Sequence, residues 1–215
     1  MKPPDDLGFV HVFKPGEKPH SPTLLLLHGT GGDEHDLLPL GRELLPGAAL
    51  LGVRGKVMEN GMPRFFRRFA EGVFDIDDLK DRTNELAQFI DATSERYSFS
   101  KRQLIAVGYS NGANIAASLI LLHPQYLAAA VLFRAQVPFT PDIIRNFVGL
   151  SIFIAAGTRD TIVPRDQTEQ LATILKSGGA DVSLSWHRGG HELGDDDIAA
   201  AKAWFSDNVI KRSAA

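Results

Sequence analysis

The sequence predicts an α/β fold: one mainly parallel central sheet of about seven strands, with helices on both faces and no large cap domain. Three observations carry this. Short runs such as TLLLLH, AAAVLF and LSIFIAA are continuously apolar, as strands buried on both faces are. Longer stretches of helical periodicity lie between them, so strand and helix alternate along the chain. With 215 residues, 44 % of them apolar and 23 % charged, the chain has the size and make-up of one soluble domain spanning residues 1–215.

Strands are expected at residues 9–13, 23–28, 48–53, 103–109, 128–133, 150–156 and 182–186. Helices are expected at 34–45, 77–97, 111–122, 165–176 and 195–208. The clearest is 77–97, where Leu79, Leu86, Ile90 and Tyr97 recur at helical spacing while Asp78, Lys80, Asp81, Arg82 and Glu85 point elsewhere. The last helix opens on Asp195, Asp196 and Asp197, which suit the positive end of a helix dipole, and ends near Lys211 and Arg212. One stretch resists the pattern. Residues 55–74, GKVMENGMPRFFRRFAEGVF, are too irregular for a simple connection and rich in Phe and Arg; long loops of this kind are often functional. Residues 213–215 read as a loose tail.

Composition excludes several functions. A net charge of −3 lacks the basic excess that nucleic acid or an anionic membrane would require. With no cysteine there are no disulfides, thiolate metal sites or cysteine nucleophiles. The N-terminus, MKPPDDLGFV, has acidic residues where a signal peptide carries its apolar core, and no apolar run is long enough to cross a bilayer. A cytoplasmic location is expected.

The chemistry concentrates in four places. Gly108-Tyr109-Ser110-Asn111-Gly112 is a G-x-S-x-G pattern between an apolar strand and a helix, the context that lifts a serine hydroxyl out of a tight turn into a cleft. A hydroxyl is a weak nucleophile and needs a base, for which His191, in the Gly-Gly-His turn after the last strand, is the candidate; His187 is its rival. Asp160, on the turn after SIFIAA, is the candidate carboxylate to orient that base, with Asp142 and Asp181 less well placed. His28-Gly29-Thr30-Gly31-Gly32 follows an early strand, and the backbone N–H groups of Thr30 and Asn111 are the expected oxyanion donors. His28 itself is expected to hold that loop in place by hydrogen bonding. A nucleotide-binding reading of the glycines fails, because neither G-x-x-x-x-G-K-[ST] nor G-x-G-x-x-G is present. In residues 55–74, Met62, Phe65, Phe66 and Phe69 are candidate pocket residues, and Arg64 a candidate receptor for a substrate anion.

Taken in order, HGTGG, GYSNG, GTRD and GGH resemble the α/β-hydrolase superfamily, and within it the phospholipase/carboxylesterase family of small bacterial carboxylesterases and acyl-protein thioesterases. The likeness runs from Thr23 to the last helix and is nearest to a bacterial branch carrying LLLLHGTGGDE, NGMPRFF and GYSNGAN. It implies Ser110, Asp160 and His191 as a triad and Thr30 and Asn111 as the oxyanion hole; the expected acyl transfer requires no cofactor and no metal, and a small ester is the expected partner. The thioesterase members usually carry Gln after the nucleophile, where this chain has Asn111. The expected activity is that of a serine carboxylesterase on short-chain or aromatic esters. A thioesterase or lysophospholipase would use the same triad, and a ligand sensor with little turnover is the reading from another class. A dienelactone-type enzyme is disfavoured, because its nucleophile is normally a cysteine. An edge strand or the Phe-rich loop could pair two copies into a homodimer.

Overall fold

The structure, a computed structural model, describes residues 7–210. The tail at 213–215, the cations at 211 and 212 and most of the acidic N-terminus lie outside the described residues. In chain order the elements are β1 (His11–Lys14), β2 (Thr23–Leu27), α1 (Leu38–Leu44), β3 (Ala49–Val53), β4 (Val57–Glu59), β5 (Met62–Arg64), β6 (Arg68–Ala70), β7 (Val73–Phe74), α2 (Ile76–Tyr97), β8 (Leu104–Tyr109), α3 (Asn111–Leu122), β9 (Ala129–Phe133), β10 (Ser151–Gly157), α4 (Arg165–Ser177), β11 (Asp181–His187) and α5 (Asp195–Phe205). A single π turn, Ser206–Ile210, follows α5.

Seven strands form one sheet in the order β1-β3-β2-β8-β9-β10-β11. All neighbours run parallel except β1, which lies antiparallel on β3 at one edge. Every expected strand is present, within two residues at each end. The apolar runs are apolar because both faces are covered. On β2, Leu24 and Leu26 pack with α1 and α5, while Leu25 and Leu27 pack with α2, α3 and α4. The period-two alternation of a strand thus feeds two cores, one on each side of the sheet.

Two departures from the sequence reading have clear causes. The helix expected at 34–45 begins only at Leu38. A helix starting at 34 would place Pro39 in its interior, where the ring clashes with the preceding turn; at the first turn it is tolerated. Glu34 is instead held in the loop by Arg54, with Nε to Oε2 at 2.5 Å. Residues 55–74 are not one irregular loop but two antiparallel hairpins, β4–β5 and β6–β7. Asn60 and Gly61 turn the first with φ of 51° and 80°, the doubly positive pair that a two-residue hairpin turn favours.

Candidate active site

Ser110 stands between the end of β8 and the start of α3 at φ 53° and ψ −114°. This is a strained conformation for a residue with a side chain. The neighbouring glycines are needed for lack of room. A Cβ on Gly112 would lie 1.9 Å from the Leu27 carbonyl oxygen, and one on Gly108 would lie 2.7 Å from the Ala113 Cα. The Ser110 N–H donates to the Phe133 carbonyl at 2.9 Å, tying the turn to β9.

The serine hydroxyl meets His191 Nε2 at 2.8 Å, and His191 Nδ1 meets Asp160 Oδ2 at 2.8 Å. With Nδ1–H donating to the carboxylate, Nε2 is free to accept the serine proton. Asp160 is fixed by its own turn, its Oδ1 accepting the N–H groups of Ile162 and Val163 at 2.8 and 3.0 Å. The loops bearing Asp160 and His191 touch because Gly157 has no side chain: a Cβ there would lie 2.2 Å from the Gly190 carbonyl oxygen. The rivals sit elsewhere. His187 Nε2 pairs with Ser185 Oγ at 3.0 Å, Asp181 opens β11 at the opposite end of the sheet, and Asp142 lies exposed in the connection between β9 and β10.

The glycine turn after β2 lies against the first hairpin. Gly31 N–H donates to the Pro63 carbonyl at 2.9 Å, and Arg64 Nη1 donates to Thr30 Oγ1 at 2.5 Å. Asn111 joins the same hairpin from the other side, its Oδ1 accepting the Phe65 N–H at 2.7 Å while its Nδ2 is buried without a partner. Residues 63–65 therefore hold both expected oxyanion residues. Neither the Thr30 N–H nor the Asn111 N–H, at the first turn of α3, is given to an acceptor among the described residues. His28 bridges the loop to the chain after β3: Nδ1–H donates to the Gly29 carbonyl at 2.6 Å and Nε2 accepts the Gly55 N–H at 2.9 Å. Burial pushes its pKa below the ordinary histidine value, against the hydrogen bond to Gly29 and the nearby Asp36 and Asp33, which pull it up.

The expected pocket is corrected in part. Phe65 and Phe66 are fully buried, Phe65 against the His28 ring and Phe66 against Phe74; they pack the hairpins onto the core. Arg64 is also buried, at 2 % exposure, with Nε 3.0 Å from Glu59 Oε2 and 3.3 Å from the Phe66 carbonyl. Burial and the neighbouring Arg68 lower its pKa to about 10, against the pull of Glu59, so it remains a cation at neutral pH. It is an internal tie to Thr30 and is not an open anion receptor. Met62 and Phe69 are exposed; Met62 lies beside Gly31, where a Cβ would come within 3.6 Å of its sulfur.

Three features went unread in the sequence. Tyr109 donates its hydroxyl to the His191 carbonyl at 3.1 Å. Arg134, the residue after β9, is buried to 1 % exposure and donates to the Gly190 and Glu192 carbonyls. Asp197, read only as a helix-dipole charge, is the partner of Arg134. A lone arginine ending the apolar run AAVLF was the available signal. Among the described residues no group of three or more His, Asp and Glu side chains could hold a metal ion, and no helix is long and apolar enough to cross a membrane.

A mostly parallel sheet that lifts a strained serine from a central strand toward a histidine and an aspartate on the next loops along is the fold of the α/β hydrolases, and the chain is one of them. It belongs to the dienelactone hydrolase family, which it matches over residues 70–204. The absence of cysteine had counted against that family; the match stands with a serine at the strained turn. Over 200 residues the chain is 46 % identical to a Bacillus subtilis (strain 168) protein provisionally named a hydrolase, MhqD, covering 93 % of this chain and 99 % of that one. Its structure is similar to that of a Bacillus cereus carboxylesterase, with a TM-score of 0.92 and 46 % identity over 94 % of this chain and 95 % of the other. A carboxylesterase from Mesorhizobium loti follows the same course, with a TM-score of 0.88 and 31 % identity over 94 % and 96 % of the two chains.

Proposed function

We propose that the protein is a serine carboxylesterase acting on short-chain or aromatic carboxylic esters through an acyl-enzyme on Ser110. The observation that carries this reading is the unbroken hydrogen-bond chain from Ser110 Oγ through His191 to Asp160, beside two amides given to no acceptor among the described residues. In the first half-reaction Ser110 Oγ bonds to the ester carbonyl carbon as its proton passes to His191 Nε2. The oxygen that gains the electron pair accepts from the Thr30 and Asn111 N–H groups. Collapse breaks the bond to the alkoxy oxygen, which leaves as the alcohol with the proton from His191. Water then repeats the sequence on the acyl-enzyme, releasing the acid and restoring Ser110. Asp160 stays ionised and holds the imidazole in the tautomer that can accept. Phe65 and Phe66 are taken up in the core and do not line an acyl site, which supports the preference for short acyl groups.

The test is hydrolysis of p-nitrophenyl acetate, butyrate, octanoate and palmitate near pH 8, beside Ser110→Ala. The variant should lose on the order of 10³-fold or more in kcat, because members of such a triad act as a unit. The wild type should prefer the two short chains. Turnover that survives in Ser110→Ala would refute the nucleophile, and activity confined to thioesters would move the substrate class to acyl thioesters.

A further inference from the structure

His191 lies on an irregular segment between β11 and α5, where no ladder or helix holds the backbone. A general base must nevertheless be placed to within a fraction of an ångström, because a displacement of about 1 Å can cost on the order of 10²-fold in rate. The Arg159 N–H reaches the start of this segment, at the Gly189 carbonyl, at 2.9 Å; beyond it, three consecutive carbonyls each accept from a side chain behind them. The Gly190 carbonyl takes Arg134 Nε at 2.9 Å, the His191 carbonyl takes the Tyr109 hydroxyl at 3.1 Å, and the Glu192 carbonyl takes Arg134 Nη2 at 2.8 Å. One guanidinium therefore grips the chain on both sides of the histidine.

The arginine is itself over-determined. It is buried to 1 % exposure and held at φ 58°, a region that side-chain-bearing residues seldom occupy. Its N–H donates to the Ala155 carbonyl at 2.9 Å. Asp197 meets the other edge of the fork, with Nη1 to Oδ1 at 2.8 Å and Nη2 to Oδ2 at 2.6 Å. Asp197 also accepts the Gly194 N–H at 3.0 Å, closing the far end of the same segment. Burying an ion pair rarely adds stability over an apolar pair of similar volume, so stability alone is a weak reason for this one. A planar fork with five donors at fixed angles can set two carbonyls and a carboxylate in one geometry; an ammonium cannot.

We infer that Arg134, aligned by Asp197, is a positioning residue that fixes the backbone of His191 in register with Ser110 and Asp160. This rests on the triad proposed above, and it gives the buried pair a role in rate beyond its role in folding. Two variants separate these roles. Arg134→Lys keeps a cation against Asp197 but cannot span both carbonyls. Arg134→Met/Asp197→Asn removes both charges together, so neither is left buried alone, and keeps an acceptor for the Gly194 N–H.

Kinetics on p-nitrophenyl butyrate would be measured at a temperature well below the Tm of each variant. The low-field proton resonance of the His191 Nδ1–H···Asp160 bond would be recorded beside it, in wild type and in Ser110→Ala. Both Arg134 variants should lose about 10- to 100-fold in kcat with KM within about twofold, and the low-field proton should broaden through exchange with water. A purely structural pair would show rescue by lysine. A folded variant of either kind that keeps kcat within about twofold and a sharp low-field proton overturns the inference. Turnover persisting in Ser110→Ala would instead refute the triad, and the resonance would still judge Arg134, because it does not depend on turnover.

Discussion

Ser110 pays for its reach with backbone strain, and the residues around it show how that strain is contained. Gly108 and Gly112 allow β8, α3 and β2 to close to distances that a methyl group would prohibit. Asn111 stands at the first turn of α3 with its N–H given to no acceptor among the described residues, and its side chain satisfies the buried Phe65 N–H. Arg64 is the residue whose reading changed most. In the sequence it stood among phenylalanines and arginines as a candidate for binding a substrate anion; in the fold its guanidinium holds Thr30. Arg64→Ala should therefore reduce kcat by about tenfold or more on neutral and acidic esters alike, through a loosened oxyanion turn. A parallel assay on a neutral ester and its carboxylate-bearing analogue checks this. Loss confined to the acidic ester would return Arg64 to the role of anion receptor.

At the scale of elements, the site depends on loops tied to one another more than on the strands that launch them. His28 ends the run TLLLLH and fastens the turn after β2 to the chain after β3 through both ring nitrogens, which it can do only when neutral. Its folded pKa is held below 6.5 by burial, so the unfolded chain binds the proton more readily. Stability should accordingly be complete above about pH 6.5 and decline as pH falls from there through the lower folded value. Chemical unfolding followed from pH 7.5 to 5 in wild type and in His28→Asn would show this; the slope in that window should flatten in the variant. The two hairpins were within reach of sequence reasoning. Asn60-Gly61 is a strong turn signal, but alternation in strands of two or three residues is too brief to see. The shortened α1 was legible too, from Pro39.

At the scale of the molecule, two cores share one sheet, and the smaller of them anchors the helix that bears Asp197. α1 and α5 cover one face, where Trp204 packs on Phe153 and Phe205 at centroid distances of 5.9 and 5.4 Å. Asp197 is the third residue of the same helix, so packing at one end of α5 secures the partner of Arg134 at the other. Trp204→Ala should cost about 3–5 kcal/mol in denaturant unfolding, since a large buried ring leaves a cavity that the sheet cannot close. A cost below about 1 kcal/mol would mean that α5 is held by its ion pair and not by its apolar face.

The order of strands and helices was legible in the sequence, because burial on both faces leaves uninterrupted apolar runs and burial on one leaves helical stripes. So was the meeting of Ser110, Asp160 and His191, since each sits where the chain leaves a strand at the same edge of a parallel sheet, and chain order alone brings such turns together. The tertiary structure decided what chain order cannot carry. Whether Phe65, Phe66 and Arg64 face a substrate or the core depends on how two short hairpins fold back, and local periodicity does not encode that. Arg134 and Asp197 are 63 residues apart and touch only because the residue after β9 and the first turn of α5 come together beside the His191 loop. A charged residue reads as solvated until its partner is known, and the partner is known only when distant segments are brought side by side.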